Sequence, residues 1–157
     1  SAQMLSTVHR MLDGEQCRIL SKSGKTMSKA WTLPDERENT FYRAVHMHHP
    51  CTIWTAVSNN NYNWHWIHFA ALCDEYTYRY GKVHSTDTLL REALKQLPTN
   101  IPIGYKTQFP LAMKAFPECI DYSDIVGSYR KFYQTKQERF KMAWTKRPIP
   151  EWFAVAA

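Results

Sequence analysis

The stretch YNWHWIHFAALCDEYTYRY, residues 62–80, decides the fold class. At about 100° per residue, Tyr62, Trp66, Phe69, Cys73, Tyr76 and Tyr80 form one apolar helical stripe, flanked by His65, His68, Leu72, Glu75 and Arg79. Ser58 and the asparagines 59–61 are cap material in front of it, and Gly81 is a natural stop behind it. Upstream, Pro50 suits the first turn of a short helix through Val57, and Thr40 to His48 is expected to form another. At the start of the chain, Met4, Leu5, Val8, Met11 and Leu12 recur at helical spacing and Asp13-Gly14 ends the run. No cap precedes Ser1, so a missing N-terminal segment is expected.

Downstream, Thr86 or Asp87 caps a helix through Leu97, and Ser123 caps a last long helix to about Ala143. Between them, residues 98–120 hold Pro98, Pro102, Pro110 and Pro117 and read as an irregular connection. Residues 15–39 read as an exposed excursion with at most one short hairpin, and 144–153 as a proline-braced tail. The expectation is a mainly α chain: a single domain over 1–157, an orthogonal bundle of about five helices with long Pro-rich connections.

The chain has 157 residues, enough for one core, with 20 Lys and Arg against 14 Asp and Glu. No apolar run reaches the roughly 18 residues of a membrane span, so no membrane partner is expected, and the reading is cytoplasmic. Four cysteines without a CxxC or a secretion signal suggest reduced thiols. Ser23-Gly24-Lys25-Thr26 lacks the earlier glycine and the preceding strand of a phosphate loop, and no cofactor is implied.

The charge has an address. Residues 1–78 hold seven basic and seven acidic side chains. Residues 128–147 hold Arg130, Lys131, Lys136, Arg139, Lys141, Lys146 and Arg147 against Glu138 alone, interleaved with Tyr129, Phe132, Tyr133, Phe140 and Trp144. Two readings stay open: an amphipathic core helix with a solvated basic face, or a phosphate-binding surface. Lys136 falls inside the aromatic stripe. There it either snorkels to water or lies desolvated with a reactive amine.

Three further groups have two readings each. On the long helix, His68, Glu75 and Arg79 offer a base, a carboxylate and a phosphate clamp, or a polar stripe beside the core. Tyr62 and Trp64 among Asn59, Asn60, Asn61 and Asn63 offer stacking and amide groups to a base, or caps and turns. His46, His48, His49 and Cys51 are metal-capable side chains without metal-site spacing, so a helix-junction role competes and no metal is assigned.

Several motifs together resemble a protein family of bacteriophages, notably marine ones. They begin with Ala2-Gln3-Met4-Leu5-Ser6-Thr7, His9-Arg10 and Leu12-Asp13-Gly14. They continue through His49-Pro50-Cys51-Thr52-Ile53-Trp54, Asn61-Tyr62-Asn63-Trp64 and the run from Cys73 to Lys82. Tyr129-Arg130 through Tyr133, Trp144 to Pro148 and Pro150 to Phe153 complete the set. The layout is more faintly similar to pyrimidine-dimer DNA glycosylases of the phage endonuclease V type. That similarity implies base excision and strand cleavage through a Schiff base, by an N-terminal amine and a first-helix glutamate that map onto no position here. The expectation is a phage-derived DNA-acting protein, a DNA-repair glycosylase or lyase. Glu75, His68 and Lys136 are its candidate catalytic residues. Arg79, Tyr62, Trp64, Arg130, Lys131, Arg139, Lys141, Lys146 and Arg147 are its candidate DNA contacts. The alternative is a non-enzymatic nucleic-acid-binding or virus–host interaction protein.

Overall fold

The long stripe does form one helix. In the computed structural model, which describes residues 1–21 and 23–153, α4 spans Asn59–Tyr80. Ser58 caps it by accepting from the Asn61 N–H, and Gly81 closes it in the left-handed region at φ 67°, where a glycine is unstrained. Tyr62, Phe69 and Cys73 of the stripe are buried, while Tyr80 at its end is exposed. The protein is mainly α, with six α-helices and one two-stranded antiparallel hairpin among the described residues.

Contacts divide the chain into two compact units, Ser1–Gln108 and Phe109–Ala157. The first is built on α1 (Ala2–Asp13), α3 (Pro50–Val57) and α4, which pack on one another. Its core gathers Leu5, Val8, Leu33, Phe41, Tyr62, Phe69, Leu90 and Leu94. Helix α1 is buried almost all round, polar residues included: Ser6, Thr7, His9 and Arg10 are all inside. The hairpin pairs β1 (Glu15–Leu20) with β2 (Met27–Thr32) and is largely exposed. Gly14 leads into it where a β-carbon would lie 2.6 Å from the Arg10 carbonyl oxygen, so only glycine fits.

Three helical expectations are corrected. Only Arg37–Thr40 (α2) is helical near the expected 40–48 helix, and 41–45 runs without one. The cause is α1: Arg10 takes the carbonyls of Phe41 and Tyr42, and the Thr7 hydroxyl clamps both the N–H and the C=O of Val45. Those groups are then unavailable to a local helix. The helix expected at 86–97 is α5 (Ser85–Leu90), capped by the His84 ring, followed by a 3-10 turn at Ala93–Lys95. Asp87 is engaged with Arg91 instead of capping.

In the second unit, α6 spans Ile125–Thr135 and is capped by Asp124, so it starts later and ends earlier than expected. The Thr135 hydroxyl donates to the Phe132 carbonyl at 2.8 Å, and the chain tightens into a 3-10 turn at Lys136–Glu138. Beyond it the tail returns to the helix, with Gln134 Nε2 donating to the Trp152 carbonyl at 2.7 Å. Phe153 is buried beside Trp144, their rings 4.5 Å apart. Residues 101–113 are irregular, as the prolines imply.

Candidate nucleic-acid interface

On α4, Glu75 and Arg79 are one turn apart and pair at 2.7 Å. The guanidinium is therefore partly neutralised, and the carboxylate is engaged. His68 is seven residues before Glu75, about 10 Å along the helix axis, too far for direct proton transfer between them. It lies flat against Trp64 instead, with ring centres 5.6 Å apart and planes within 8°. Much of the imidazole stays exposed, yet desolvation by its neighbours holds its pKa below the ordinary histidine value. Trp64 in turn meets Trp54 edge-on at 5.6 Å, and the Lys106 amine sits 6.0 Å over its ring. The expected acid–base flank is thus an ion pair and, separately, an aromatic stack.

Tyr62 is a correction. It is fully buried, so its ring is closed to a base. Its hydroxyl donates to the Leu94 carbonyl at 2.9 Å and meets His9 Nε2 at 2.8 Å. Arg37 approaches His9 Nδ1 at 3.1 Å, and a guanidinium only donates. Nδ1 therefore accepts, Nε2 carries the proton, and His9 is neutral. Burial, then the Arg37 charge, lowers its pKa to about 4. The same Arg37 binds Asp13, whose carboxylate also accepts from the backbone of Thr99 and Asn100. This chain of polar contacts ties α1 to α4 and to two loops.

The asparagines at the head of α4 are likewise spent on backbone. Asn59, Asn60 and Asn61 bind Gly104 and Thr107, so these amide groups hold the 104–107 segment against the helix. His49 caps α3 through the Cys51 N–H. Among the described residues no group of three or more metal-capable side chains forms. None of the four cysteines, all described, is in a disulfide. Burial, with the Asp87 charge next, pushes the Cys73 thiol up to about 11, which leaves no thiolate at neutral pH.

The basic stretch of the second unit is not one helical face. Arg130 and Lys131 are on α6, Lys136 opens the 3-10 turn, and Arg139, Lys141, Lys146 and Arg147 follow in irregular chain. Three of these cations share a setting. Arg130 sits over Trp152 at 5.7 Å, Lys136 over Phe132 at 4.2 Å and Arg139 over Phe140 at 5.8 Å. Among the described residues, none of Arg130, Lys131, Lys136, Arg139 and Lys141 makes an ion pair. Lys136 is half-buried on its ring, and the other four are exposed. At Lys141 opens a cleft of about 430 Å³, lined also by Phe140, Met142, Trp144, Ile149 and Phe153.

Sequence reasoning missed Arg10, the most buried charge, because nothing local distinguishes it from a surface arginine. The available signal was its place one residue after His9, between Val8 and Met11, on a helix that is otherwise mostly apolar or small. Comparison with protein-family models, with curated proteins and with solved structures finds no match.

Proposed function

We propose that the protein binds DNA without transforming it, and that residues 130–147 make the phosphate contacts. One observation carries the reading: Arg130, Lys136 and Arg139 rest on aromatic rings and, among the described residues, on no carboxylate. A cation paired with a carboxylate is already neutralised. A cation over a ring keeps its full charge and its N–H donors for a phosphate. The adjoining cleft, with aromatic walls and Lys141 at its side, suits an unstacked base, so single-stranded or distorted DNA is the preferred partner. In the first unit, the Trp64–His68 stack under Lys106 offers a second base platform. Arg79, shared with Glu75, is a weaker phosphate contact.

The glycosylase or lyase extension has less to stand on. Its candidate acid, Glu75, is engaged by Arg79, and its candidate amine, Lys136, covers a ring. An origin in phage, and action in the cytoplasm of an infected host, follow only from the motif resemblance. The orthogonal packing of the bundle belongs to the same reading.

Titrating a labelled single strand by fluorescence anisotropy at several salt concentrations tests the proposal. With four or five phosphates contacted, log K should fall against log salt with a slope of about −3. Replacing Arg130, Lys131, Arg139 and Lys141 together by Ala should flatten that slope and abolish most of the affinity. A wild-type slope near zero would overturn DNA binding altogether. Borohydride should trap no protein–DNA adduct; a trapped adduct would restore the lyase reading.

A further inference from the structure

Between Glu15 and Asp35 the sequence holds Arg18, Lys22, Lys25 and Lys29 and no Asp or Glu. Most of this stretch is the hairpin of β1 and β2, so the neutral balance of residues 1–78 hides a basic element. The strand register sorts its side chains. Gln16 is opposite Trp31, Arg18 opposite Lys29 and Leu20 opposite Met27. These three rungs are two residues apart along each strand, so they share one face. The other face, with Cys17, Ile19 and Ala30, is partly buried. On the first face Gln16, Arg18 and Lys29 are exposed, and Leu20 and Met27 are 58% and 54% exposed.

An arginine directly across from a lysine is unfavourable, because like charges on opposed strands repel. Among the described residues, none of Arg18, Lys25 and Lys29 has a carboxylate within ion-pair distance to offset this. The hairpin is nonetheless held at both ends. At its base the buried Arg10 donates from Nη1 to the Trp31 carbonyl at 2.8 Å. At its far end the Ser21 N–H donates to the Thr26 carbonyl at 2.7 Å, and the Gly24 N–H to the Ser21 carbonyl at 2.8 Å. An anion placed on the Arg18–Lys29 rung turns the repulsion into a shared attraction. We propose that the β1–β2 hairpin is a duplex-binding arm, whose Arg18–Lys29 rung holds backbone phosphate while its exposed face lies in the major groove of DNA.

The inference rests on the DNA-binding reading and extends it from single strand to duplex. The dimensions fit. Each strand of six residues spans about 20 Å, and the major groove, about 12 Å wide, admits a two-stranded ribbon. Leu20 and Met27 then lie against sugars and thymine methyl groups. The order of residues along the arm favours DNA over an anionic bilayer. A bilayer takes up apolar side chains first, whereas the leading residues here, Ser21, Ser23, Gly24, Lys25 and Thr26, are polar or small and the apolar rung is behind them. A duplex instead offers phosphates on both sides of that rung, matching Arg18 and Lys29 on one side and Lys25 on the other.

Fluorescence anisotropy on the whole chain compares a labelled single strand with the same strand extended by a duplex end. Wild type should bind the tailed duplex at least about tenfold more tightly. Arg18→Gln combined with Lys29→Gln should bring the tailed duplex down to single-strand affinity and lower its salt slope by about 1.8. Single-strand affinity should not change, and thermal unfolding should not fall, because the opposed charges are gone. Leu20→Ser should weaken tailed-duplex binding several-fold at an unchanged salt slope. A wild type that binds neither DNA overturns the DNA reading together with the arm. Single-strand binding with no gain from the duplex, or a gain indifferent to the double substitution, overturns the arm alone. So does co-sedimentation with phosphatidylserine vesicles that the double substitution abolishes while tailed-duplex affinity stays intact, which assigns the arm to a membrane surface.

Discussion

The two units carry the same excess charge, but the first ties four arginines to carboxylates while the second seats two on rings. Residues 1–108 hold twelve Lys and Arg against nine Asp and Glu, and residues 109–157 hold eight against five. In the first unit, Arg10, Arg37, Arg79 and Arg91 are all bound to carboxylates. In the second, Arg130, Lys136 and Arg139 lie on rings, and the buried polar hub is the neutral Ser128, whose hydroxyl bridges the backbones of Asp121 and Asp124. Net charge therefore says little about which unit meets an anion. What matters is whether each cation is already neutralised inside the fold.

Arg10 gives the largest expected effect. Its guanidinium is 1% exposed and donates to the carbonyls of Trp31, Glu38, Phe41 and Tyr42 and to the Glu38 carboxylate. Arg10→Met fills similar space but leaves those acceptors without their donor. Leaving a buried acceptor unmet costs about 1–3 kcal/mol, so with several carbonyls orphaned the loss should reach at least about 3 kcal/mol. Chemical unfolding followed by residue-resolved hydrogen exchange should place the loss in the first unit. A loss below about 1 kcal/mol would mean that water replaces the guanidinium, and that this unit's charges are not structural.

Acid should separate the units next. His9 and His65 are buried neutral, with pKa values lowered to about 4 and about 3, mainly by desolvation. Both return to the ordinary value, about 6.5, on unfolding. The unfolded chain therefore binds more protons, and stability falls as pH drops from about 6.5 toward 4, by up to about 1.4 kcal/mol per pH unit for each histidine. Below that window, protonation of the lowered carboxylates of Asp13, Glu38 and Asp87 adds to the loss. The second unit has no histidine. Urea titrations at pH 7, 6 and 5 should show first-unit protection falling while protection around Ser128 holds. Equal losses in both units would break the contrast.

How far the sequence reached follows the same division between local and distant causes. Helices α1, α3 and α4 were legible because periodicity, cap and stop residues agreed within each segment. Residues 41–45 were not, because side chains some thirty-five residues upstream occupy their backbone groups. The early end of α6 depends on a hydroxyl–carbonyl contact that composition does not disclose. At the candidate site, the cluster of cations between 128 and 147 was visible as composition. Their seating on rings was not, since Phe132 and Trp152 could equally have been pure core. Tyr62 was misjudged, and the asparagines at 59–61 stayed open between base contacts and caps, for a general reason: a phenol or an amide has the same sequence signature whether it faces a base or a backbone.

The smallest expected effect is at Arg130, and it sharpens the contrast most. An exposed cation over a tryptophan contributes about 0.5–1 kcal/mol, so Arg130→Gln should change unfolding by no more than that. If this arginine serves phosphate, the same substitution should lower single-strand affinity several-fold and reduce the salt slope by about 0.7. Trp152→Leu is the complement, because it keeps the charge and removes its seat. Affinity retained in Trp152→Leu and lost in Arg130→Gln would make the ring a support and the guanidinium the contact. Were Arg130→Gln instead to destabilise its unit as much as Arg10→Met destabilises the other, the second unit's cations would be structural too. The equal charge excess of the two units would then reflect one use of arginine, not two.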